Sequence, residues 1–344
     1  MPSARDLGLS SGILPPGSLN AITDVVGVTV GHRTLCSETL ATGVTAILPH
    51  QGDLFRQKVR AGIEVINGFG KSVGMMQVAE LGTVETPILL TNTFSVAPCA
   101  EALVRRAIAA NPDIGRETST VNPLVFECND GVINDIQAMA VTTADAEAAL
   151  DDARGGAVLQ GAIGAGTGMT SFGFKAGIGS ASRLMRIDGD DYTLGALVLA
   201  NFGRVGDLVL PDGRRPNPRS SAETEKGSVI IILATDLPLG DRQLRRVARR
   251  AGAGLARLGA FWGNGSGDIA LCFTTADPVA HEPRKAFQSL RQLADDRIDM
   301  PFRAAAEATQ EAVLNALCAA PATTGRTGRS FPALAAWLME NPLQ

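Results

Sequence analysis

The run Ser228–Thr235 (SVIIILAT) carries six consecutive apolar side chains with no polar alternation. A strand of that composition is buried on both faces and needs cover above and below. Pro87–Thr91 (PILLT) reads as a second fully apolar strand and Thr193–Ala200 as a third, long and buried. Helical spacing stands between and after them, over Cys99–Ala110, Ala144–Arg154, Asp241–Leu258 with Asp241 as its cap, and Pro301–Ala320. No repeat period appears, and no linker parts two cores. The pattern predicts one α/β domain over residues 1–344, with β-sheets sandwiched between helix layers.

Composition narrows the function. The formal net charge is −4, which leaves no electrostatic footprint for nucleic acid. The basic residues around Arg242–Arg250 recur at helical spacing, as on a solvated helix face. No apolar run reaches membrane-span length and no charged-then-apolar leader opens the chain, so the expected setting is cytoplasmic, without membrane or nucleic-acid partners. Cys36, Cys99, Cys128, Cys272 and Cys318 are scattered and odd in number; they fit reduced, mostly buried thiols. His32, His50 and His281 are the three histidines, none at metal-ligand spacing. Arg60–Gly74 reads as a short strand and a glycine loop with Asn67 and Lys71. Arg204–Gly227 is polar and rich in Pro and Arg, the best candidate for a mobile surface insertion, and Asp277–Arg297 reads as a polar connection.

The chemistry is expected at Gly263-Asn264-Gly265-Ser266-Gly267-Asp268, just before the apolar run Ile269–Phe273. A Ser between two glycines has a backbone that turns tightly and can be approached closely. The bland alternative is a glycine turn between helix and strand. A Ser-His-Asp triad must draw on three histidines, and Asn264 and Asp268 occupy the glycine places of a G-x-S-x-G elbow. A self-cleaved chain supplies its own base instead: a freed α-amine, with a reference pKa of about 7.7–8.0, can take the hydroxyl proton near neutral pH.

This stretch, with Val26–His32, Thr91–Val96, Glu127–Gly131, Asn201–Gly203, Ala234–Leu239 and Glu307–Asn315 in order along the chain, resembles the DmpA-type aminopeptidases. That family spans L-aminopeptidase/D-esterases, β-peptidyl aminopeptidases and nylon-oligomer hydrolases. The resemblance implies an N-terminal-nucleophile-like hydrolase in a four-layer αββα sandwich. It also implies self-cleavage at Gly265–Ser266 into an α chain (1–265) and a β chain (266–344), no cofactor or metal, and assembly into a homotetramer or larger ring. Ser266 would be the nucleophile, acting on small peptides, amides or esters, and Asn201 would donate its amide to the oxyanion. Glu127 would bind the substrate's amino group. Lys175 matches a lysine near the nucleophile, and Thr309 with Glu311 matches a pair that orients its amine and hydroxyl. Their two-residue spacing does not share a helix face, so that pair is expected at or before the start of the helix.

Four positions depart from the family pattern. Asn129 stands where several members have an assisting Tyr, Thr309 replaces a more usual Ser, and Phe69 and Lys71 stand where a small residue and an acid are common. Other readings stay open. The same site could hydrolyse β-peptides or oligoamides; an ornithine-acetyltransferase-like enzyme would use Thr rather than Ser. A binding protein would cradle an anion at Gly161–Gly168 or Gly263–Gly267.

Overall fold

A computed structural model of the chain describes residues 2–218 and 227–342. The first half holds β1 (Thr29–Cys36), β2 (Ala41–Leu48), β3 (Gln57–Gly68), α1 (Met75–Leu81), β4 (Thr83–Val84), β5 (Ile88–Asn92), α2 (Val96–Ala110), β6 (Leu124–Cys128) and α3 (Thr143–Asp151). A small hairpin follows, β7 (Thr170–Ser171) and β8 (Phe174–Lys175). The long elements come last: β9 (Ile178–Ile187), β10 (Asp190–Asn201), β11 (Ser228–Thr235), α4 (Asp241–Ala256), β12 (Gly267–Ala280) and α5 (Asp299–Cys318). One sheet has the order β1-β2-β5-β6 and the other β4-β3-β12-β11-β10-β9.

The apolar run of β11 explains the layering. Val229, Ile231 and Leu233 pack with Leu244 and Val247 of α4 and Val313 and Leu317 of α5. The alternate residues Ile230, Ile232 and Ala234 join Ile47, Leu90 and Phe126 of the other sheet. That second sheet turns Val44, Ala46, Leu89 and Val125 outward onto Cys99 and Leu103 of α2 and Ala146 and Leu150 of α3. Three cores between four layers make an αββα sandwich. Each fully buried aliphatic side chain contributes about 1.5–3 kcal/mol, which is why β11 carries none that is polar between its ends. Helix α5 sits directly on β9, because a Cβ on Gly179 would lie 1.9 Å from the Ala312 carbonyl oxygen.

Several boundaries differ from the sequence reading. Strand β3 is long, not short, because it is paired on both sides, by β4 and by β12. Strand β12 runs past Phe273 into the expected polar connection, since Val279 and Ala280 pair with Lys58 and Gln57. Gly240, not Asp241, is the N-cap of α4, and its N–H donates to Gln243 Oε1 at 3.2 Å. The expected insertion is core in part: Leu208 and Leu210 are buried in the helix-side core, while residues 211–213, Arg215 and Asn217 are exposed. Residues 219–226, where the rest of that expectation falls, lie outside the described residues. Among the described residues, no helix is long and apolar enough to cross a membrane. Cys99, Cys128, Cys272 and Cys318 are buried free thiols and Cys36 is exposed.

Candidate active site

The Asn264-Gly265 turn closes through Ser266 N–H donating to the Gly263 carbonyl at 2.9 Å. Directly after it, β12 begins at Gly267, flanked in register by Ser228 of β11 and Gly68 of β3. Only glycine fits at 267, since a Cβ would lie 2.6 Å from the Phe69 carbonyl oxygen. Upstream, Trp262 holds a left-handed backbone (φ 56°), a conformation that costs a bulky L-residue energy and needs surrounding structure to hold it. Ser266 is fully buried, and its hydroxyl donates to Asp268 Oδ1 at 2.7 Å. Asn67 Nδ2 donates to the Ser266 carbonyl and, at 3.1 Å, to that of Gly263, so one amide clamps both ends of the turn. The register of β12 against β3 slips between Asp268 and Ile269, the kind of bulge that re-aims side chains beside active sites.

Asn201 ends β10, and Asn201, Ser228 and Gly267 share one row across three strands. Its Oδ1 accepts Thr170 N–H at 3.0 Å and its Nδ2 donates to the Asn129 carbonyl at 3.0 Å. A backbone donor on one side and a backbone acceptor on the other set the amide's orientation, leaving the second N–H of Nδ2 beyond this pair. Asn129 takes part through its main chain. Its side-chain oxygen is used in its own turn, accepting Gly131 N–H at 2.9 Å.

Lys175 is fully buried in the small hairpin, and its Nζ donates to the carbonyls of Gly166 (3.2 Å), Met169 (2.8 Å) and Ala176 (2.6 Å). The hairpin is the same one that presents Thr170 N–H to Asn201, so Lys175 touches the loop behind Asn201 rather than Ser266. Burial pulls its pKa down from 10.5 to about 7. An unfolded lysine keeps its proton to about pH 10.4, so between these values the unfolded chain binds more protons and stability rises with pH. Urea midpoints at pH 7 and pH 9 are therefore expected to rise in the wild type relative to Lys175→Met; an equal change in both proteins would contradict this.

Glu127 lies near the end of β6, buried beside the parallel end of β5. Its Oε1 accepts Lys71 N–H at 2.8 Å, and its Oε2 accepts the Thr93 hydroxyl. The loop from Asn67 to Lys71 thus touches Ser266 at one end and Glu127 at the other. Phe69 N–H also donates to the Ser266 carbonyl, at 3.3 Å. Ser266, Asn201, Asn129 and Glu127 are gathered at one end of the two sheets, linked by this loop and by the Asn201–Asn129 bond.

Thr309 and Glu311 are placed elsewhere. They lie in the middle of α5, not at or before its start, and at about 100° per residue their side chains diverge by about 200°. Glu311 accepts Arg5 Nη2 at 2.8 Å, Arg183 Nη2 at 2.6 Å and Asn20 Nδ2 at 2.6 Å. Burial works to raise its carboxyl pKa, but Arg5, Arg183 and Asn20 outweigh burial and hold it below the ordinary range. This cluster pins the N-terminal arm to β9 and α5. Thr309 is fully buried against Gly254 of α4, and its hydroxyl has no hydrogen-bond partner among the described residues.

Two residues of the site escaped the sequence reading. Asp268 reads as a departure from a serine elbow, although Ser-x-Asp at the start of a strand puts both side chains on one face. Asn67 is 199 positions from the carbonyl it holds, and no local pattern marks such a contact.

The profile of peptidase family S58 matches residues 20–331. The chain belongs to that family. A relative, the beta-peptidyl aminopeptidase BapA of Sphingosinicella microcystinivorans, is 37% identical over 362 residues, covering 97% of this chain and 89% of its own. The L-aminopeptidase D-Ala-esterase/amidase of Ochrobactrum anthropi, described as a prototype serine aminopeptidase with a variant Ntn-hydrolase fold, superimposes with a TM-score of 0.90 at 37% identity over 99% of both chains. The PH0078 protein of Pyrococcus horikoshii OT3 matches with a TM-score of 0.91 at 44% identity, over 98% of this chain and 99% of its own. This S58 chain is an enzyme, an aminopeptidase of the Ntn-hydrolase fold, and the αββα layering described above is that fold.

Proposed function

We propose that this chain cuts its own Gly265–Ser266 bond and that Ser266, as the N-terminus of the 266–344 β chain, removes N-terminal residues from small peptides and amides. The observation that carries the reading is the buried Ser266 hydroxyl donating to Asp268 within a clamped Gly-Ser turn. In the uncut chain Asp268 takes the hydroxyl proton as Oγ attacks the Gly265 carbonyl. The C–N bond breaks as the Ser266 nitrogen takes that proton from Asp268 and leaves as an amine, and water hydrolyses the resulting ester.

In the cut enzyme the α-amine of Ser266 becomes the base for its own hydroxyl, with a reference pKa of about 7.7–8.0. Glu127 takes the substrate ammonium. The second N–H of the Asn201 amide, oriented by Thr170 and Asn129, meets the oxyanion, the Ser266 ammonium returns its proton to the leaving amine, and water, deprotonated by the same α-amine, then hydrolyses the acyl ester and frees Ser266. Lys175 acts behind Asn201 by holding the hairpin.

Intact mass and N-terminal sequencing test the reading together with hydrolysis of L-alanyl p-nitroanilide. Two fragments splitting at 265/266, the smaller beginning with Ser266, are expected to accompany activity. A full-length, uncut chain that hydrolyses the anilide equally well would rule out the amine as base.

A further inference from the structure

We infer that Phe69 and Lys71 form the wall that reads the side chain of the substrate's N-terminal residue, selecting apolar and acidic side chains over basic ones. This rests on Ser266 as nucleophile and Glu127 as the ammonium site. A residue whose carbonyl lies at Ser266 and whose amine lies at Glu127 spans the Asn67–Lys71 loop, because that loop is bonded to both. Phe69 N–H donates to the Ser266 carbonyl, and Lys71 N–H donates to Glu127 Oε1. The main chain of this loop is therefore held by the two groups that hold the substrate.

The side chains of Phe69 and Lys71 are exposed. Phe69 is 57% exposed, unusual for an aromatic residue whose backbone is bonded to a fully buried serine. The Lys71 Nζ stands 4.1 Å from the centroid of that ring. Such a cation–π contact fixes an otherwise mobile ammonium in one place. Lys71 makes no ion pair among the described residues, so its charge is available to a ligand. Phe94, 48% exposed, follows Thr93, whose hydroxyl binds Glu127, and adds a second apolar surface in the same neighbourhood. A ring favours an apolar side chain, an unpaired ammonium favours a carboxylate, and both disfavour a second ammonium.

The test uses the purified full chain and p-nitroanilides of alanine, norleucine, glutamate and lysine. In the wild type kcat/KM is expected to be higher for norleucine and glutamate than for lysine. An exposed charge contact is worth a few-fold, so Lys71→Ala should lower the glutamate-to-lysine ratio about threefold and Lys71→Glu about tenfold or more. Phe69→Ala should lower the norleucine-to-alanine ratio about tenfold. Ratios that move less than twofold in all three variants, while every protein still releases p-nitroaniline, overturn the inference and leave Ser266 and Glu127 standing. If the wild type releases none from any anilide, the reading beneath it fails and the inference falls with it.

Discussion

Ser266→Ala is expected to yield one uncut chain of 344 residues with no measurable aminopeptidase activity. The substitution removes a single oxygen from a fully buried site. What it removes from Asp268 is one hydrogen-bond donor, a loss of about 1 kcal/mol, so the fold survives. Catalysis loses both the attacking atom and, because the bond before it stays closed, the amine that would serve as base. Removal of a nucleophile from a serine hydrolase costs on the order of 10⁴-fold or more in kcat. Asp268→Asn separates the two stages. The amide oxygen still accepts from Ser266 but cannot take its proton, so cutting is expected to slow at least about tenfold. A Ser266→Ala protein that still splits at residue 265 on a denaturing gel ends the self-cleavage reading.

How far the sequence carries depends on the range of the interaction. The apolar run of β11 announces burial on both faces, and both of its faces are cores. Ser266 is legible by its glycine neighbours and by the scarcity of histidine. Glu127 and Asn201, placed through the family likeness, stand near or at strand ends, facing the loops that join the two sheets. The misreadings share another cause. Thr309 and Glu311 match a motif by spacing, but the helix that carries them sends Glu311 to Arg5 and Arg183, residues distant in sequence. Asn129 occupies the place of a side chain, yet it contributes a carbonyl, which is independent of residue type. Asp241 looks like a cap because its type fits, while the residue before it has the extended backbone an N-cap requires.

The Asn201 amide gives the sharpest separation between binding and chemistry. Asn201→Asp keeps the oxygen that accepts Thr170 N–H and replaces the N–H donor with a second oxygen. That oxygen faces the Asn129 carbonyl, acceptor against acceptor, and offers nothing to an oxyanion. Loss of one preorganised oxyanion donor costs about 10²–10³-fold in kcat, because the donor acts on charge that exists only in the transition state. KM is expected to move little, since Glu127 and the Asn67–Lys71 loop hold the ground state. Asn201→Ala should fall at least as far in kcat, because it also strips Thr170 N–H of its partner. Asn129→Ala should cost far less than either, for the carbonyl it contributes remains. Steady-state kinetics on L-alanyl p-nitroanilide decide the matter. A defect in Asn201→Asp confined to KM, with kcat within threefold of wild type, would make Asn201 a binding residue and move the oxyanion site elsewhere.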